Sequence, residues 1–105
     1  MTLHDLICLK VFDRHMMLLT DYPTLKGNMV TDAIADVYFQ LSRLKNIDVS
    51  FFEDEPRPAA IYVMKLLKRL YADGAVSDAD INDCVQLVFR RYELGAKILG
   101  TVRLS

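Results

Sequence analysis

Three observations predict an all-α fold for this chain, a compact bundle of about four helices. Glycine and proline mark breaks at residues 23–27, at residues 56–58 and at Gly74. The segments between these breaks carry apolar residues at helical spacing, with little of the alternation that is typical of strands. A length of 105 residues is near the modal size of one domain, so residues 1–105 should form a single helical domain.

The first two predicted helices cover residues 3–20 and residues 28–45. The first should end before Tyr22-Pro23, because a residue that precedes proline is pushed out of the α region. Asn28 is a favourable N-cap for the second helix. Residues 48–57 should form a loop, since this acidic segment has no helical stripe of apolar residues.

The third predicted helix covers residues 58–72, with a proline in its first turn and Asp73-Gly74 at its end. Ser77 is the expected N-cap of the fourth helix, whose early acidic residues suit the positive end of the helix dipole. That helix should reach at least residue 93, and residue 99 if Gly95 is tolerated within it.

Two helices should turn a regular apolar stripe toward the core. On helix two, Phe39 stands on the opposite side, where its neighbours include Ser42 and charged residues. The predicted core stripes comprise Val30, Ile34, Val37, Leu41 and Leu44 on helix two, and Ile81, Cys84, Val85, Val88, Phe89 and Tyr92 on helix four.

More apolar residues are present than these stripes account for. Helix four carries a second line formed by Leu87, Leu94 and Ile98, with Arg91 between them. Helix one is apolar around most of its circumference, which is typical of a helix covered on most sides. Because a small domain has a high ratio of surface to volume, its own helices cannot hide all of this surface, and we expect a homodimer. The alternative is a monomer with isolated exposed apolar residues, which are ordinary on soluble proteins.

The segment around Phe51 and Phe52 has an unusual composition, since the two phenylalanines precede three consecutive acidic residues and a Pro-x-Pro sequence. One interpretation is a structural lid, in which the aromatic rings pack under the loop at the end of the bundle. The other is a docking element, in which an apolar anchor ringed by acid selects a basic, apolar-lined groove on a partner.

Charge and cysteine usage narrow the choice of environment. The formal net charge of −1 provides no overall field that would attract polyanions. The sequence shows no secretory signal and no apolar run long enough to span a bilayer, so we expect a cytoplasmic protein. Cys8 and Cys84 lie far apart and outside any CxxC pair, which favours free thiols over a bridge between them.

The candidate sites for chemistry are weak. His4, Cys8 and His15 could supply soft metal ligands, but a fourth ligand for zinc is not identifiable. The segment around Gly74 has only the second half of a calcium-loop pattern. We find neither a glycine-rich phosphate loop nor a nucleophile with a base and an orienting partner, so we expect a protein that is not an enzyme and uses no cofactor.

A basic cluster on helix three offers a different class of function. Lys65, Lys68 and Arg69 share one face and could contact phosphate, although such clusters are usually the solvated side of an amphipathic helix. The turn before helix four resembles that of a helix-turn-helix. The first residues of helix four are acidic, however, and DNA would repel them.

These patterns favour a non-enzymatic protein–protein interaction module, an adaptor, regulator or inhibitor that acts as a homodimer. Its predicted interface comprises Phe39, Phe51, Phe52, Leu87, Arg91, Leu94 and Ile98. The alternative is a small DNA-binding transcriptional regulator that uses the helix-turn-helix-like pair and the basic face of helix three.

Overall fold

The described part of the chain forms four helices, in the order that the sequence predicts. The computed structural model describes residues 1–22, 29–47 and 56–104, except for the side chains of Pro56 and residues 99–104. Asn28, Phe51 and Phe52 therefore lie outside the described residues. The helices are α1 (Leu3–Asp21), α2 (Met29–Leu44), α3 (Pro56–Ala72) and α4 (Asp78–Leu104).

Local signals fix both ends of α1, and the C-terminal one is the signal predicted from the sequence. The Thr2 hydroxyl accepts a hydrogen bond of 3.1 Å from the Asp5 amide, so Thr2 is the N-cap. At the other end the Tyr22 amide donates to the Leu18 carbonyl, 2.8 Å away, immediately before Pro23. The helix stops where the proline would exclude the α conformation.

The turn between α3 and α4 also follows the prediction. Gly74 adopts φ +81°, a left-handed conformation that glycine enters without a side-chain clash. The Asp80 amide donates to the Ser77 hydroxyl at 3.1 Å, and the Ser77 amide donates to the Asp80 carboxylate at 2.9 Å. This reciprocal pair satisfies two backbone donors at the start of α4.

Asp80 also joins the start of α4 to the end of α2. Its carboxylate lies 2.9 Å from the Lys45 ammonium group. The hydrogen bond from the Ser77 amide, followed by that from Lys45, lowers the pKa of Asp80. Further along these two helices, the Tyr92 hydroxyl on α4 donates to the Asp36 carboxylate on α2. The two contacts show that α2 and α4 run antiparallel.

The core lies between α1, α2 and α4, while α3 packs on α1 and α2. The inner stripe of α4 is placed as predicted, with Tyr92 only partly buried at its edge. The buried apolar side chains that form the core are Leu3, Leu6, Ile7, Val11, Leu18, Ala33, Val37, Tyr38, Leu41, Val63, Leu67, Val76, Ile81, Cys84, Val85, Val88 and Phe89.

Two predictions for α2 are wrong, one on its core stripe and one on its opposite side. Leu44 was expected in the core, but it lies in the last turn of the helix and its side chain is 49% exposed. Ser42 was expected on the outer polar side, yet it is fully buried, and its hydroxyl donates to the Phe39 carbonyl at 2.6 Å. The reason is that α3 packs over this side of α2.

The helices of one chain leave one side of α1 open, which agrees with the expected excess of apolar surface. Leu9, Phe12, Met16 and Met17 are all exposed, because the other three helices contact only the inner side of α1. The fourth helix is longer than its predicted minimum, since it continues through Gly95 to residue 104. The third begins at Pro56, two residues earlier than expected.

Both cysteines, Cys8 and Cys84, are free thiols. Within the described ranges, no helix has both the length and the hydropathy needed to cross a membrane.

Candidate functional site

A line of exposed side chains on α4 is the clearest candidate surface. Leu87, Leu94 and Ile98 are 38%, 61% and 56% exposed. With the exposed Arg91 they are spaced by four, three and four residues, the spacing of a coiled-coil seam. Ala96 lies on the opposite side of the helix and is buried, so these four residues, the α4 seam, point away from the bundle.

A second exposed apolar surface lies on α1. Leu9, Phe12 and Met16 are 57%, 52% and 63% exposed and share one side of the helix. The spacing of i, i+3 and i+7 is the one by which amphipathic helices insert anchors into grooves of partner proteins. We call these three residues the α1 face. The predicted interface did not include these residues, because apolar residues around the whole of helix one do not show which side the other helices leave open.

Phe39 occupies a different place from the α4 seam. Its ring is 44% exposed, and the guanidinium carbon of Arg43 lies 6.0 Å from the ring centroid. The side chain lines a cavity of about 320 Å³ between α2 and α3. Of the predicted interface, Leu87, Arg91, Leu94 and Ile98 therefore form one surface, Phe39 belongs to another, and Phe51 and Phe52 lie outside the described residues.

A second cavity adjoins the one beside Phe39. The first is lined mainly by apolar groups of α2 and α3, including Ala35, Ala60 and Met64. The second, of about 480 Å³, lies between the start of α1 and α3, with Lys65 and Lys68 on its α3 side. Both cavities are lined by Tyr38 and Met64, so they adjoin. We call the pair the α3 groove.

A chain of polar contacts sits beside the α3 groove. The His4 Nδ1 atom lies 2.7 Å from the Tyr38 hydroxyl, and its Nε2 atom lies 3.4 Å from the Cys8 sulfur. The arrangement has the order of a nucleophile, a base and an orienting group. The sequence places His4 and Cys8 one helical turn apart, but it does not show that Tyr38 joins them, because Tyr38 lies 34 residues from His4 in the chain.

The electrostatics of this chain of contacts oppose nucleophilic chemistry. Burial, followed by the charge of Asp5, raises the pKa of the Cys8 thiol above its usual value. Burial likewise raises the pKa of Tyr38 to about 12. A reactive cysteine needs surroundings that stabilise its thiolate, and these surroundings favour the thiol. The contacts are therefore suited to holding α1 against α2.

The candidate metal ligands do not converge. His4 is exposed and contacts Cys8, whereas His15 is buried, and its Nδ1 atom has no hydrogen-bond partner among the described residues. The described parts of the chain contain no group of three or more histidine, cysteine, aspartate or glutamate residues that could hold a metal ion.

The basic residues of α3 are accessible. Lys65, Lys68 and Arg69 are exposed, and none has an acidic partner within the described ranges. The start of α4 is less suited to binding a polyanion, because it carries the Asp80 carboxylate. This carboxylate contacts the Ser77 amide and the Lys45 ammonium group.

Comparison of the chain with protein-family models, with curated proteins and with solved structures finds no match.

Proposed function

We propose that this chain is a non-enzymatic helical interaction module that forms a homodimer through the α4 seam. The observation that carries the proposal is the line of three large apolar side chains at coiled-coil spacing on a face that α1, α2 and α3 leave open. Full burial of a leucine or isoleucine side chain contributes about 1.5–3 kcal/mol, so covering this line would favour association.

Arg91 favours an antiparallel arrangement of the two α4 helices. In a parallel pair the Arg91 side chains of the two copies would face each other, and like charges in contact are unfavourable. In an antiparallel pair Leu87 faces Ile98 of the second copy, and Arg91 faces Leu94. The long arginine stem can then cover leucine while its charged end stays in water.

The α1 face would remain open in such a dimer and is our proposed surface for a different protein partner. Its three apolar side chains have the spacing of helix-in-groove anchors, which fits an adaptor, regulator or inhibitor. Two copies of this face on one dimer would increase the avidity for a repetitive or dimeric partner.

Sedimentation equilibrium of the wild type and of Ile98→Glu, a substitution opposite the apolar Leu87 in the proposed pair, tests the dimer over roughly 1 µM to 1 mM, the range of weak to moderate dissociation constants. We expect a concentration-dependent dimer for the wild type and a monomer for the variant, because the glutamate would be buried without a partner. Leu9→Glu is the matched control, since Leu9 is similarly exposed but lies on α1. A wild type that stays monomeric throughout would reject the proposal.

Disulfide trapping tests the antiparallel arrangement in a Cys8→Ser background. We expect cross-linked dimer when Leu87→Cys and Ile98→Cys proteins are mixed, and none with Leu87→Cys alone. Residues 87 and 98 are eleven positions apart on α4, so the two copies of position 87 in an antiparallel pair are separated by about 16 Å along the helix axis. This exceeds the reach of a disulfide, which is about 7 Å between Cα atoms. Cross-linking of Leu87→Cys with itself would instead indicate a parallel pair.

A DNA-binding regulator is the second candidate, favoured by Lys65, Lys68 and Arg69, which are exposed and have no acidic partner among the described residues. Three phosphate contacts give a modest affinity that falls steeply with salt. A mobility shift with duplex DNA at low salt that disappears in Lys65→Gln/Lys68→Gln would support this function. No shift at low salt would reject it.

A further inference from the structure

We propose that the α3 groove binds an amphiphilic monoanion, a molecule with an aliphatic tail and a carboxylate head. The inference is independent of the homodimer, because the α3 groove lies between α1, α2 and α3, whereas the proposed dimer uses the outer side of α4. It rests on the size of the two cavities, on the satisfied polar groups around them and on the charge at one end.

The size of the groove suits a small molecule. The cavities measure about 320 and 480 Å³ and adjoin at Tyr38 and Met64. Ligand pockets in proteins usually measure about 300–1,000 Å³. Either cavity alone is within this range, and a ligand that occupied both would lie along α3.

The cavity between α2 and α3 is suited to an apolar tail. Its walls are mainly alanine, valine, methionine and phenylalanine side chains. The polar groups there already have partners within the protein: the Ser42 hydroxyl donates to the Phe39 carbonyl, and the Asp36 carboxylate accepts from Tyr92. A ligand in this cavity gains little from hydrogen bonding and most from burial of its own apolar surface.

The second cavity is suited to an anionic head. Lys65 and Lys68 lie one turn apart on its α3 side, without an acidic partner among the described residues. The Tyr38 hydroxyl between the cavities is already bonded to His4. Asp5 lies among the lining residues and would repel an anion, so the carboxylate should sit on the lysine side.

Isothermal titration with sodium dodecanoate, kept below its micellar concentration, tests the site. We expect saturable binding of one molecule per chain. Dodecanol should bind about three- to tenfold more weakly, the loss expected when two exposed ion pairs are absent. No saturable binding of dodecanoate would overturn the proposal.

One double variant and its control test whether the two lysines bind the anionic head. Lys65→Gln/Lys68→Gln should weaken dodecanoate by about three- to tenfold and leave dodecanol unchanged. Lys10→Gln/Arg90→Gln is the control, with the same loss of charge outside the groove, and should have no effect. Equal weakening by both double variants would overturn the proposal, because it would show attraction to net charge alone.

The third variant fills the tail cavity. Ala35 is exposed and lines it, so Ala35→Leu should weaken both ligands without disturbing the core, and Ala79→Leu on α4 is the matched control. Unchanged binding by Ala35→Leu would place the ligand elsewhere and overturn the proposal. Vesicles of phosphatidylglycerol distinguish a free amphiphile from a lipid surface: we expect no co-sedimentation, and strong co-sedimentation that survives Ala35→Leu would overturn the site.

Discussion

The two sides of α4 carry the same kinds of side chain in opposite environments. Ile81 and Val88 on the inner side are almost fully buried, whereas Leu94 and Ile98 on the outer side are more than half exposed. Since hydrophobicity alone does not distinguish them, position relative to α1 and α2 does. The inner side stabilises the fold of one chain, and the outer side is available to stabilise an assembly.

The largest expected difference is between one alanine substitution on the inner side of α4 and one on its outer side. Ile81→Ala should lower the free energy of unfolding by about 2–5 kcal/mol, because it removes buried methyl groups and leaves a cavity. Leu94→Ala should change the stability of the monomer by less than about 0.5 kcal/mol, as exposed substitutions usually do. Urea denaturation at low concentration, where the monomer predominates, measures both, and equal losses would contradict the comparison.

Ser77→Ala should have the next largest effect, about 1 kcal/mol, because it removes the N-cap of α4 on which both sides of the helix depend. Thermal denaturation followed by circular dichroism measures this loss. Ser77→Asp keeps a capping oxygen and should retain most of the stability. If Ser77→Asp were as unstable as Ser77→Ala, the cap would not be the cause.

A substitution of His15, on the inner side of α1, should increase the stability of the fold, whereas those at Ile81 and Ser77 should decrease it. It is buried and its Nδ1 atom lacks a partner in the described structure, so His15→Leu should raise the free energy of unfolding by about 1 kcal/mol. Chemical denaturation gives the value. A large loss on substitution would show that the imidazole has a favourable role in the core that its contacts do not reveal.

The smallest effect concerns pH. Because the pKa of Asp80 is lower in the folded chain than its usual value of 3.8, this group stabilises the fold above pH 3.8, and that contribution is lost as the pH falls through the folded pKa. The free energy of unfolding of Asp80→Asn, measured by urea denaturation at several pH values, should therefore fall less steeply below pH 3.8 than that of the wild type. Lys45→Gln, which removes one contact of Asp80, should lie between them.

The elements of the fold could be predicted from sequence because their signals are local. Tyr22-Pro23 ends one helix, Gly74 and Ser77 separate two others, and each signal acts within a turn of the chain. The inner stripe of α4 was likewise predictable from its period, since a helix must bury its most apolar side.

The candidate surfaces were only partly predictable. The α4 seam is a sequence pattern, and the structure places all four of its residues on the open side of the helix. The α1 face could not be predicted, because an all-round apolar helix does not say which of its sides the other helices leave open. The errors on α2 have other causes, since Leu44 lies in the last turn of that helix and α3 packs over the side that carries Ser42.

The sequence by itself determined the fold class, the order of the helices and the excess of apolar residues, because period, capping and composition are properties of the chain. Only the tertiary structure decided which apolar residues are covered, and that His4, Tyr38 and Cys8 meet beside a groove under α3. Packing sets these features, since three helices can surround one side of a fourth but not all of it. The excess that the sequence implies is thereby resolved into the α4 seam, the α1 face and the α3 groove.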